Sequence, residues 1–182
     1  MKHKILITCL ISSLSIFFSC QNGNSFFSQK RVLRSEIKKS GGLMYYDGKP
    51  FTGIGFEMWD ENIVKIEIQF KDGKVSGTAK KYYKDGTLEE VVELLDGKKN
   101  GSRIEYREDG KEQLVRNYLN DDLHGKYIEY YKNGNIEMEC TYKDGRREGL
   151  LKEYYESGKV KKECNYVDGS VVNECINYEN NQ

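Results

Sequence analysis

The chain has 182 residues, enough for one domain or one elongated array, and its 29 Lys plus Arg balance 29 Asp plus Glu. A formal charge of zero argues against a protein built mainly to hold nucleic acid, which shows as a basic excess. A hydrophobic fraction of 37% and a mean hydropathy of −0.76 exclude a thick core, while 14 Tyr and a single proline, Pro50, argue against disorder.

The first predicted element is an address at residues 1–19. Lys2, His3 and Lys4 form a positive start, and the apolar run from Ile5 to Phe18 has 14 residues, short of the ~20 needed to span a bilayer. The step Phe17-Phe18-Ser19-Cys20 resembles the lipobox of bacterial lipoproteins, although Phe17 stands where Leu is usual and Phe18 where a smaller residue is usual. The resemblance implies acylation of Cys20 and an exported protein that touches the membrane through its N-terminal lipid. Its place is then the cell envelope, on the outer membrane or the periplasmic face if the cell is Gram-negative. An ordinary secretory signal cut nearby is the alternative.

Residues 20–41 read as a lipid anchor and a flexible, basic tether. Gln21 to Ser25 is polar and small. Lys30, Arg31, Arg34, Lys38 and Lys39 outweigh Glu36, a patch that either meets anionic headgroups or is simply solvated. Leu33 and Ile37 are spaced for a short helix capping the next segment.

Residues 42–182 form a repeat array. Gly53, Gly77, Gly101, Gly125 and Gly149 recur every 24 residues, and Asn173 opens a partial unit. A second column holds Asn62, Gly86, Gly110, Gly134 and Gly158; a third holds Gly73, Gly97, Asp121, Gly145 and Gly169. Thirteen of the 18 glycines fall in these columns, so the chain is a stacked array and not an ordinary globule. Within a unit the hydrophobic period is two, as in Ile136, Met138, Cys140 and Tyr142, with breaks at Asn133-Gly134 and Asp144-Gly145. Each unit therefore predicts two strands and two turns. Strands ~4.8 Å apart make each unit advance ~10 Å. A three-residue loop at Lys132-Asn133-Gly134, a type I turn with a G1 bulge, is expected to put Ile128, Tyr130, Ile136, Met138, Cys140 and Tyr142 on one face. The third unit, with Glu112 and Arg116 in apolar columns, is expected to be the softest. The opening glycine column has no evident turn role and predicts a bend, a bulge or a close approach of backbone.

The stretch from Gly125 through Lys126-Tyr127-Ile128-Glu129-Tyr130-Tyr131-Lys132-Asn133 to Gly134 resembles a MORN-type repeat, in the variant common in bacterial proteins described as antitoxins. The likeness runs from Gly53 to Gln182, and more loosely from Gly42 to Thr52. It implies an all-β fold, an elongated, twisted antiparallel sheet of consecutive β-hairpins. It also implies a protein that binds or scaffolds, without catalysis. An antitoxin-like or immunity protein that occludes a toxin is the alternative reading.

Sites for chemistry are scarce. His124 is the one histidine left after the leader, with no second imidazole for a metal cluster and no Ser-Asp pair placed around it. No metal or cofactor is expected. Asp72, Asp96, Asp144 and Asp168 precede glycines and are explained by turn chemistry. Cys140, Cys164 and Cys175 remain beside the leader's Cys9 and the lipid's Cys20. Cys164 and Cys175 meet only if the last turn is centred between Gly169 and Ser170, and the chosen register places them on opposite faces. Trp59, Tyr83, Arg107, Tyr131 and Tyr155 share one column on the wetter face. This row either covers backbone and cross-strand neighbours or contacts a partner, another protein or a glycan, as Trp, Tyr and Arg do at hot spots.

Overall fold

The computed structural model describes residues 29–179 of the chain. In chain order the elements are β1 (Arg31–Leu33), a 3-10 turn (Arg34–Glu36), β2 (Lys38–Ser40), β3 (Leu43–Tyr46), β4 (Lys49–Pro50), β5 (Gly53–Met58), β6 (Val64–Lys71), β7 (Lys74–Tyr82) and β8 (Leu88–Leu95). The remaining strands are β9 (Lys98–Tyr106), β10 (Glu112–Leu119), β11 (Asp122–Tyr130), β12 (Ile136–Lys143), β13 (Arg146–Tyr154), β14 (Val160–Val167), β15 (Ser170–Val171) and β16 (Ile176–Asn177). The fold is all-β. Strands β5 to β15 lie side by side in chain order, β1 flanks β5, and β16 joins β14, making one 13-stranded sheet; β2, β3 and β4 form a separate small sheet.

The part of the expected tether that lies among the described residues is folded from Arg31 on. β1 pairs in parallel with β5, Arg31 opposite Ile54, and Val32 is buried with Phe51 and Phe70. Ile37 and Met44 pack on the same cluster. The spacing of Leu33 and Ile37 thus marks one 3-10 turn that delivers Ile37 to this core. Burial of these rings closes the first end of the array, where a bare strand edge would otherwise meet water.

The loop after β11 is the expected one. Tyr131 N–H donates to the Asn135 carbonyl at 2.9 Å, Gly134 N–H to the Tyr131 carbonyl at 3.0 Å, and Gly134 takes φ 93°, which glycine adopts at little cost. The single apolar face is overturned. Tyr130 lies opposite Ile136, but Glu129 lies opposite Met138, so β12 carries one extra residue just past the loop. One added residue reverses the alternation beyond it. Ile128 and Tyr130 therefore face one side, while Met138, Cys140 and Tyr142 share the other with Tyr127. The same slip occurs after the equivalent loop in every full unit. We term the side holding the buried Phe70, Tyr118, Cys140, Leu151 and Cys164 the inner face, and its opposite the outer face.

The other turn of each unit has two residues. Asp144 at φ 50° and Gly145 at φ 79° link Lys143 to its partner Arg146, as a type I′ turn requires. Beyond it Thr141 pairs with Glu148 but Glu139 with Lys152, so the incoming strand holds two extra residues around Gly149. The opening glycines are bulge residues: Gly77, Gly101 and Gly125 have φ of 109°, 116° and 102°. In the second and third units the bulge is closed by a side chain from the strand before. Gln69 Oε1 accepts from Thr78 N–H at 2.7 Å, and Glu93 Oε2 from Ser102 N–H at 2.6 Å. A Cβ on Gly77 or Gly101 would overlap those acceptor oxygens.

That bulge also corrects the cysteine reading. The last turn is centred on Asp168-Gly169, with Tyr166 opposite Val171. By β16 the register has moved two residues, to Glu163 opposite Ile176. Asn173 stands where the other units have a bulge glycine, and Cys175 arrives opposite Cys164. The two form a disulfide with a Cα–Cα distance of 4.5 Å. Cys140 is a buried free thiol, and burial raises its pKa above the ordinary thiol value, which keeps it unreactive.

Candidate functional site

The column of Trp59, Tyr83, Arg107, Tyr131 and Tyr155 sits at the end of the first strand of each unit, where the three-residue loop begins. Its members do one thing in common: each donates to a backbone carbonyl of the next unit. Trp59 Nε1 reaches the Tyr82 carbonyl at 3.0 Å, and Tyr83 Oη the Tyr106 carbonyl at 2.7 Å. Arg107 Nη2 reaches the Tyr130 carbonyl at 2.5 Å. Tyr131 Oη and Tyr155 Oη reach the Tyr154 and Tyr178 carbonyls at 2.7 and 2.8 Å. At Arg107 the guanidinium supplies the same donor where the ring is missing. Burial, then the carboxylates of Glu137, Glu156 and Glu153, raise the Tyr131 pKa, so its hydroxyl stays protonated and donating.

Tyr131→Phe keeps the ring and deletes this one bond. We expect a loss of about 1 kcal/mol, the usual net worth of such a hydrogen bond. Urea unfolding of the two proteins measures it, and an unchanged midpoint would show that the carbonyl finds water as readily.

A companion column lies on the outer face. Tyr82, Tyr154 and Tyr178 donate to Glu67, Glu139 and Glu163 at 3.3, 2.6 and 2.9 Å. Burial and the bond to Glu139 push the Tyr154 hydroxyl up to about 12. Two tyrosine columns, one residue apart, thus stitch the hairpins on opposite faces. Tyr131 and Tyr154 also line a groove with Glu129, Glu137, Glu153 and Lys161.

The family model described as the MORN repeat variant matches residues 123–144 and 147–168. Two adjacent units are MORN repeats. None of the curated proteins matches the chain. The matched stretches hold β12 and β14 whole and all but the first residue of β11 and of β13. MORN repeats are often protein- or membrane-binding modules and are generally not catalytic.

The repeat units differ most in what covers the sheet. In the middle of the array the inner face is ionic: Arg103 Nε binds Glu90 at 2.7 Å and its Nη2 binds Glu105 at 3.0 Å, while Arg116 also binds Glu105. Arg116, expected to weaken the third unit, is matched by these carboxylates. This pairing was readable only once the register was known, because it sets Arg116 directly opposite Arg103, 13 residues earlier in sequence, and brings both to Glu105. At the Asp-Gly edge each turn leans on the one before it. Lys74 pairs with Asp96 at 3.3 Å, His124 Nδ1 lies 3.2 Å from Asp144, and Arg146 pairs with Asp168 at 2.7 Å. His124 and the turn aspartates are thus joined in structural pairs. Among the described residues no three His, Cys, Asp or Glu side chains gather to hold a metal ion, and no helix is long and apolar enough to cross a membrane. Cys20 and the leader lie outside the described residues.

Proposed function

We propose that the chain is a non-catalytic, membrane-tethered scaffold at a bacterial cell envelope. It is exported by residues 1–19, held by lipid on Cys20, and presents its sheet to another protein. The observation that carries the reading is the open sheet itself. Successive hairpins lock to one another by side-chain and backbone bonds, and among the described residues the small sheet packs on the cluster at the first end, which leaves the faces of the later units for contact. The row from Trp59 to Tyr155 serves as one contact edge. Its polar atoms hold the array, and the groove beside Tyr131 leaves ring and carboxylate for a partner. The Cys164–Cys175 bridge supports the address, since structural disulfides persist in exported proteins and are rare where thiols are kept reduced.

Metabolic labelling with a palmitate analogue tests the anchor. The wild-type chain should take up label and stay with membranes, and Cys20→Ala should lose both. Equal labelling of the two forms, or none of either, would sink the lipid.

A further inference from the structure

The outer face carries a row that no tyrosine column explains. Lys80 lies directly opposite Val91, Val91 opposite Ile104, Ile104 opposite Val115, Val115 opposite Ile128, and Ile128 opposite Glu139. Six strands, β7 to β12, thus hold one straight line reading Lys, four aliphatics, Glu. The central ionic cluster of Arg103 and Arg116 lies on the inner face of these units, and the four aliphatic residues lie on the outer face, flanked by Glu93 and Lys126. The four are half-buried by neighbouring side chains, yet among the described residues no further strand or helix forms a layer over them.

The two end charges are uncompensated. Lys80 makes no ion pair with any described residue, because its cross-strand neighbour Glu67 is taken by Arg31 at 2.5 Å. Glu139 accepts from Tyr154 Oη at 2.6 Å but has no cation, because its neighbour Lys152 is held by Glu163 at 3.3 Å. A lone cation at one end of an apolar stripe and a lone anion at the other form a pattern that complements itself when turned end for end.

We infer that this stripe is the interface of a homodimer in which two copies pack outer face to outer face, Lys80 of each meeting Glu139 of the other. The geometry selects the symmetry axis. A two-fold axis running along the strands, between β9 and β10, reverses the row and lays Val91 over Ile128 and Lys80 over Glu139. An axis along the row would lay Lys80 over Lys80, which costs stability and is rejected. The strand-parallel axis keeps the two sheets aligned, the usual arrangement of stacked sheets ~10 Å apart. Twist of roughly 20° per strand turns the outer units away, so contact is confined to the central strands. Six strands ~4.8 Å apart and ~27 Å long give a footprint of roughly 650 Å² per copy, near the ~800 Å² of a standard interface. The stripe lies on the face opposite the central ionic cluster, and pairing through it needs no lipid anchor.

The test uses the full chain with Cys20→Ser, so that no lipid can drive association, and sedimentation equilibrium over a concentration series. The protein should be dimeric, whereas Lys80→Glu and Glu139→Lys should each be monomeric at the same concentrations. An equimolar mixture of the two variants should be dimeric again, because each then offers the charge the other lacks. Melting curves recorded alongside show that both variants are folded. Should either reversal fail to fold, Lys80→Ala and Val115→Thr take its place, and each must weaken association about tenfold or more. A monomeric parent overturns the inference and leaves the stripe to a different protein. Charge variants that still dimerise, or a mixture of folded variants that stays monomeric, overturn it as well.

Discussion

Replacing Cys175 with serine should release the last half-unit and cost the final hairpin about 3 kcal/mol, the loop-closure value for a ring of roughly a dozen residues. The effect is large because the strands at this end are short and their side chains exposed. β15 and β16 have two residues each, and Val171, Val172, Ile176 and Tyr178 are 40–56% exposed. Without the bridge, the bonds from Val172 N–H to the Asn165 carbonyl and from Tyr178 N–H to the Lys161 carbonyl, 3.0 and 2.9 Å long, lack a covalent tie. Repeat arrays open from their ends, each unit resting on its neighbour. Hydrogen exchange should therefore show protection lost at Val172 and Tyr178 and kept at β11 and β12. The same pattern should appear when a dithiol reductant is added to the wild-type chain. Unchanged protection at Tyr178 in the variant would show that strand pairing alone suffices.

Gly101→Val should cost about 3 kcal/mol, and Gly149→Val only about half of that. Both residues have positive φ, 116° and 77°, a region that costs a residue with a Cβ roughly 1–2 kcal/mol and a β-branched one more. The difference lies in what stands beside them. A Cβ on Gly101 would overlap Glu93 Oε2, the oxygen that accepts from Ser102 N–H at 2.6 Å and Ser102 Oγ at 3.1 Å. Displacing that carboxylate loses about 1 kcal/mol more. A Cβ on Gly149 would have nothing within 4 Å. Urea unfolding of both variants measures the gap. Equal losses would show that φ alone accounts for the glycine column and that the Glu93 bonds contribute nothing.

Much of this protein is legible in the sequence because the repeat states it several times. The 24-residue period and the Asx-Gly breaks determine an antiparallel sheet of hairpins, since a turn with positive φ admits few residues and each unit repeats the same choice. The three-residue loop at Lys132-Asn133-Gly134 comes from the same chemistry. The column of Trp59, Tyr83, Arg107, Tyr131 and Tyr155 is visible too, although not what its hydroxyls and guanidinium bind, because the carbonyl each one meets is 23 residues further on.

What only the tertiary structure decided is phase. A β-bulge adds a residue without changing composition or period, so nothing local announces it, yet it moves every later side chain to a new partner or face. The one-residue slip opposite Tyr130 divides the apolar columns between two faces and creates the stripe through Ile104 and Val115. The two-residue slip at the opening column brings Cys175 to Cys164. It also sets Gln69 and Glu93 over the glycines they close. The basic run at Arg31 and Arg34 shows the same dependence from the other side. Its charges read as a solvated tether, but the alternation that buries Val32 has meaning only against the edge of β5, where Phe51 and Phe70 give it a core to join.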